Sequence, residues 1–147
     1  MSVSASPAGA AVLLRQWAHD ACYARSVRAP DLAAALLLNL EEAGSLGRQR
    51  IFPPSPHASR LQFVLDDDGE TVLFIELSTL PMVTAEELTA VFGAARSIPP
   101  GPHQSGPTLV FDDLRPIDAP RGCLVMARLR GDDPRLALVE SVTMSFE

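Results

Sequence analysis

His19, Asp20 and Cys22 lie close together near the start of the chain, and they are the residues whose types and spacing come nearest to a catalytic pair. Cys22 follows His19 by three positions, which places both side chains on one helix face. A thiolate beside an imidazole is the chemistry that such a pair would support. Catalytic pairs usually join different elements, however, and nothing near Cys22 supplies donors for an oxyanion. A partly exposed His beside a buried thiol is the simpler reading. His57 and His103 stand in proline-rich segments with scattered acidic neighbours, short of a metal-ligand pattern. Three acidic clusters follow: Asp66-Asp67-Asp68-Gly69-Glu70, Asp112-Asp113 and Asp132-Asp133. The first lacks the spaced ligands and following helix of a calcium loop. Paired carboxylates serve glycosidases and metal hydrolases. All three clusters fall at strand ends, where Asp is selected for hydrogen bonds to its own backbone. No glycine-rich phosphate loop, no Gly-x-Ser-x-Gly elbow and no Lys for a Schiff base occur. The expectation is a protein that is not an enzyme and carries neither cofactor nor metal.

The elements that would position these residues can be read from periodicity. Residues 1–7 are expected to be disordered, and residues 8–147 to form a single domain. Ala10, Leu13, Leu14, Trp17, Ala21 and Ala24 recur at helical spacing. A second helix is expected from Pro30, suited to a first turn, to Ala43, with Gly44 as its stop. Its run Leu32-Ala33-Ala34-Ala35-Leu36-Leu37-Leu38-Asn39-Leu40 is apolar almost all round, the mark of a helix buried on most sides or lying in an interface. Asn39 reads as a satisfied amide in the core or at a helix junction. Residues 45–59 read as a loop. Thr84-Ala85-Glu86-Glu87 is a capping box that opens a third helix, with Val83 and Leu88 as its hydrophobic staple. Leu88, Val91, Phe92 and Ala95 would form its inward stripe, and Pro99–Pro107 a surface loop. Thr108–Phe111, Gly122–Arg130 and Arg135–Phe146 read as strands. No internal repeat is visible.

Leu61–Leu77 is the strongest local signal, a β-hairpin with apolar residues on both faces. If Asp66–Glu70 form the loop, Leu65, Phe63 and Leu61 face Thr71, Leu73 and Ile75 and build one apolar face. Val64 opposite Val72, with Phe74 beside them, would then form a smaller patch on the other face. The fold class expected is α+β, with about five mostly antiparallel strands and three helices mainly on one face.

Charge and composition narrow the function. The net charge is −6, and all 12 basic residues are Arg. The absence of Lys, with abundant Ala, Pro and Leu, suits a bacterial gene of GC-rich coding. An acidic chain does not suit nucleic-acid binding, which asks for a basic face. No apolar run reaches the roughly 20 residues of a membrane span, and a signal peptide is not expected. A cytoplasmic location is expected. Cys22 and Cys123 are expected as buried free thiols, since two isolated cysteines make no disulfide framework.

Leu36-Leu37-Leu38-Asn39-Leu40, the hairpin turning through Asp66-Asp67-Asp68-Gly69, and the helix opened by Thr84-Ala85-Glu86-Glu87-Leu88 together resemble the C-terminal half of class I type III secretion chaperones. The resemblance covers Pro30 to Ala95. Members of that family are small, acidic, cytoplasmic homodimers that hold part of a secretion substrate without cofactor or chemistry. Their strands follow the first helix directly and they end on a helix, whereas here two helices come first and strands come last. The expected function is a non-enzymatic protein-binding module, a secretion chaperone or adaptor. It would bind a client or itself, as a homodimer, through Val64, Val72 and Phe74. The alternatives are an immunity or inhibitor protein that neutralises a basic toxin through the acidic turns, and a small hydrolase.

Overall fold

The computed structural model describes residues 7–53, 60–78, 83–104, 106–114, 122–131 and 137–146. Helix α1 spans Pro7–Cys22 and turns Ala11, Leu14, Ala18 and Ala21 into the core. It begins at Pro7, the last residue of the segment expected to be disordered. Leu13, expected among the apolar positions, is exposed instead.

Helix α2 is much shorter than its apolar run. It covers Ala29–Ala35 and ends at Leu36. Leu37 then adopts φ +56°. The Leu38 N–H donates to the Ala33 carbonyl and the Leu37 N–H to that of Ala34, closing a Schellman motif. Leu37 is 93% exposed, so this run is not a helix buried on most sides. A 3₁₀ turn, Leu40–Glu42, follows. Asn39 caps it by accepting from the Glu41 N–H, the junction role expected for its amide.

All the strands described belong to one antiparallel sheet of eight, in the order β1-β2-β3-β4-β8-β7-β6-β5. They are β1 (Gly44–Leu46), β2 (Gln49–Phe52), β3 (Arg60–Leu65), β4 (Val72–Ser78), β5 (Arg96–Ile98), β6 (Thr108–Leu114), β7 (Cys123–Arg130) and β8 (Leu138–Phe146). The fold is thus α+β with three helices, and the sheet is wider than the five strands expected. The extra strands are β1 and β2, within a segment that reads as a loop, and β5, where the third helix was expected to continue. These short strands hold few side chains, too few for a visible period. Helix α3, Ala85–Phe92, opens as expected: Thr84 Oγ1 accepts from the Glu87 N–H at 3.2 Å and donates to Glu87 Oε1 at 3.0 Å. Val83 and Leu88 are both fully buried, as the staple requires.

The helices join the sheet through one apolar cluster on a single sheet face, with Leu61, Phe63 and Leu65 of β3 and Val125, Ala127 and Leu129 of β7 at its centre. The sheet is built twice on one plan. Leu65, Phe63 and Leu61 pair with Val72, Ile75 and Leu77. Leu129, Ala127 and Val125 pair in the same order with Val139, Val142 and Met144. Each first strand step of β4 and β8 holds an extra residue, which keeps both members of Val72/Ile75 and of Val139/Val142 on the core side.

The helix entries repeat as well. Ahead of α2, the Val72 N–H donates to the Val27 carbonyl and the Ala29 N–H to that of Glu70. Ahead of α3, the Val139 N–H donates to Val83 and the Ala85 N–H to Ala137. Val27-x-Ala29-x-Asp31-Leu32 therefore corresponds to Val83-x-Ala85-x-Glu87-Leu88. Six residues with two alternations are too short a match to be seen as a repeat without the pairing of β4 to β8. That central pair sets Glu76 opposite Thr143, on the pseudo-twofold axis between the halves.

Candidate functional site

The Cys–His pairing weighed near the N-terminus is not assembled. Cys22 and Cys123 form a disulfide that ties the end of α1 to the start of β7. This corrects the expectation of two free thiols. Burial and apolar context were read correctly, but they say nothing of which cysteine lies opposite, and only the packing of α1 on β7 brings the two together. With its sulfur bonded, Cys22 is no nucleophile for His19. His19 is instead exposed, with its ring 4.7 Å from that of Tyr23 and Nδ1 3.5 Å from Asp20 Oδ1. His103 is exposed, and His57 lies outside the described residues. Among the described residues no group of His, Cys, Asp or Glu could hold a metal ion.

The Asp-rich hairpin end is a built turn. The Gly69 N–H donates to the Asp66 carbonyl, and Gly69 has φ +73°, which an L side chain would strain. Asp68 Oδ1 accepts from the Glu70 and Thr71 N–H groups at 2.9 and 2.8 Å, and Oδ2 accepts from the Thr71 hydroxyl at 2.5 Å. The Thr71 hydroxyl, then its N–H, hold the Asp68 carboxyl below its ordinary pKa of 3.8, with Arg28 adding a smaller pull. Asp67 pairs with Arg48 at 2.9 Å, and Glu70 with Arg28. The side chains of Asp112 and Asp113, and all of Asp132 and Asp133, lie outside the description.

The feature left over is the sheet face turned away from the helices. Register and burial define it in rows across the strands. At the end nearest the Asp66–Glu70 turn, Val64, Phe74, Ser145 and Leu124 follow one another on β3, β4, β8 and β7. The middle row is Gln62, Glu76, Thr143 and Met126. The far end carries Arg60, Ser78, Ser141 and Arg128, with Arg130 two residues further along β7. Val64, Phe74, Leu124 and Met126 are each only partly buried. Val72, expected beside Val64, is 2% exposed and belongs to the core, while Leu73 is the residue left exposed. The bulge between Val64 and Leu65 moves Val72 opposite Leu65. A regular pairing cannot foresee that shift, because one residue of slip exchanges the faces.

Sequence reading missed the polar half of this face. Gln62 is 5% exposed; its Nε2 donates to Glu76 Oε1 at 3.0 Å, and its Oε1 has no hydrogen-bond partner. The amide cannot profitably turn over, because its oxygen would then face the carboxylate. Glu76, Ser78, Arg128, Arg130, Glu140 and Ser141 line an open hollow of about 210 Å³. Arg130 reaches Glu140 at 3.8 Å, both well exposed. Among the described residues no hydrogen bond or ion pair engages Arg128. Alternation in Arg128-Leu129-Arg130 was the available signal, since it puts both cations on one strand face.

The chain matches no protein family, no curated protein and no solved structure. Among the described residues no helix is long and apolar enough to cross a membrane.

Proposed function

We propose that this chain is a protein-binding module, an adaptor or secretion-chaperone-like holder, whose open sheet face receives a segment of another protein. One observation carries the reading: all three helices pack on one side of an eight-stranded sheet, and the other side presents Val64, Phe74, Leu124 and Met126 without a covering layer among the described residues. Apolar side chains grouped on a rigid sheet are a docking surface in physical terms, since covering them removes apolar area from water.

A partner segment is a better occupant than a second copy. An isologous contact returns the same patch to itself. Two open faces stacked about a central dyad along the strands would set Arg128 of each copy against Arg60 of the other, since both end the same row; about a dyad across the strands, the arginines would meet the apolar end. The reading of an inhibitor that meets a basic toxin through its acidic turns has less support, because Asp68 is engaged inside the turn and Asp67 is paired with Arg48. The cytoplasm is the compartment expected from the sequence, and the Cys22–Cys123 bond favours an oxidising one instead. Alkylation of thiols in intact cells before lysis decides between them.

Sedimentation equilibrium tests the occupant. The wild-type chain should sediment as a monomer, and so should Phe74→Asp. A dimer that Phe74→Asp dissociates would make the face a self-interface and overturn the client reading.

A further inference from the structure

We infer that the segment received by the open face joins an apolar anchor to a carboxylate about four extended residues away. This deepens the protein-binding reading and rests on it. The anchor seat is the row Val64, Phe74 and Leu124. The carboxylate seat is the hollow at Arg128 and Arg130. Phe74 and Ser78 mark the two seats on β4, four residues apart, which is about 13 Å at roughly 3.3 Å per strand residue.

Two observations point to this ligand chemistry. First, the hollow sets Arg128 and Arg130 beside Glu76 and Glu140, but Glu76 already accepts from Gln62 and Ser78 and Glu140 faces Arg130, which leaves Arg128 without an anionic partner among the described residues. An exposed guanidinium beside the Ser141 hydroxyl matches a carboxylate. Second, the pseudo-twofold axis superposes the two seats. Val64 of β3 corresponds to Arg128 of β7, Leu73 to Glu140 and Phe74 to Ser141, on a shared backbone plan whose core partners stay apolar in both halves. The two ends of the face therefore offer a directional pair of unlike subsites, which suits one asymmetric segment.

A display library of random peptides, selected on the full-length, disulfide-bonded chain, tests the inference. Wild type should enrich peptides with an apolar residue followed about four positions later by Asp or Glu. Phe74→Asp should recover none of them. For the best peptide, measured by fluorescence polarisation, exchange of its carboxylate for the amide should weaken binding to wild type about tenfold. The same exchange should leave binding to Arg128→Glu unchanged. Enriched apolar peptides that bind equally well as acid or amide would overturn the inference and leave the binding face standing. If no peptide separates wild type from Phe74→Asp, the face itself fails, and the inference with it.

Discussion

The hairpin β3–β4 and the hairpin β7–β8 share a register, a bulge placement and a set of apolar core positions, yet they show opposite chemistry to the open side. Val64, Leu73 and Phe74 stand in the first where Arg128, Glu140 and Ser141 stand in the second. The core positions are held by packing against three helices, where a change of volume or polarity is felt at once. Apart from the buried Gln62, the open positions meet no such layer among the described residues, so their chemistry is less constrained by folding and available for recognition. Where two halves agree, the fold explains them; where they differ, function is the place to look.

The disulfide is the largest departure from this pseudosymmetry, since it fastens only β7, and its removal should have the largest effect. Cys22 and Cys123 are 101 positions apart, and closing a loop of about 100 residues limits the unfolded chain by up to about 4.7 kcal/mol. Cys22→Ser with Cys123→Ser should lower the urea midpoint accordingly, and reduction of the wild type should match it. A midpoint that does not move would show that packing alone holds α1 on β7.

The next effect separates core from open face within one hairpin. Phe63 is fully buried against the Phe52 ring, 4.9 Å away between centroids, whereas Phe74 is partly buried on the other side. Phe63→Ala should cost about 3–5 kcal/mol by urea denaturation. Phe74→Asp should change stability far less while abolishing peptide capture. Equal destabilisation by the two would break the distinction between a structural and a recognition face.

The two helix units differ at their ends by smaller amounts. Thr84 caps α3, while Arg28, its counterpart before α2, makes no side-chain cap. Thr84→Ala should cost about 1 kcal/mol in thermal unfolding. After α3 the chain turns at Gly93, with φ +94°; after α2 it turns at Leu37, an exposed leucine with φ +56°. Leu37→Gly should stabilise the chain by about 1 kcal/mol through relief of the left-handed conformation. Loss of stability there would mean that Leu37 has a contact that offsets its strain.

The smallest effect concerns the turn that only the first hairpin has among the described residues. The Asp68 carboxyl titrates below 3.8 because the folded turn favours its charged form. Its contribution to stability is therefore complete above that value and is lost as pH falls through the lowered one. Thr71→Ala removes the hydroxyl donor and should bring the Asp68 titration, followed by carbon NMR, back toward 3.8. An unchanged titration would assign the shift to the backbone donor.

Much of the local structure was legible because its causes are local. The Thr84 capping box, the Val83–Leu88 staple, the Asp-rich turn and the amphipathic first helix each depend on side chains within a few residues of one another. The end of α2 was not legible, because nothing in Leu36-Leu37-Leu38 marks a turn where glycine is the usual residue. The three short strands escaped for want of length. Of the candidate site, Val64 and Phe74 were found by alternation, whereas Val72 was assigned to the wrong face.

By itself, then, the sequence determined the α+β class, the acidic balance, the third helix and the hairpin turn, since propensity, charge and capping act over short range. Tertiary structure alone decided that Cys22 meets Cys123, that a bulge buries Val72 and that two halves pair at β4 and β8. Each of those facts depends on which distant segment lies opposite, and pairing across a sheet is set by the packing of the whole core. The juxtaposition of Phe74 with Arg128, on which recognition is proposed to rest, belongs to that second kind.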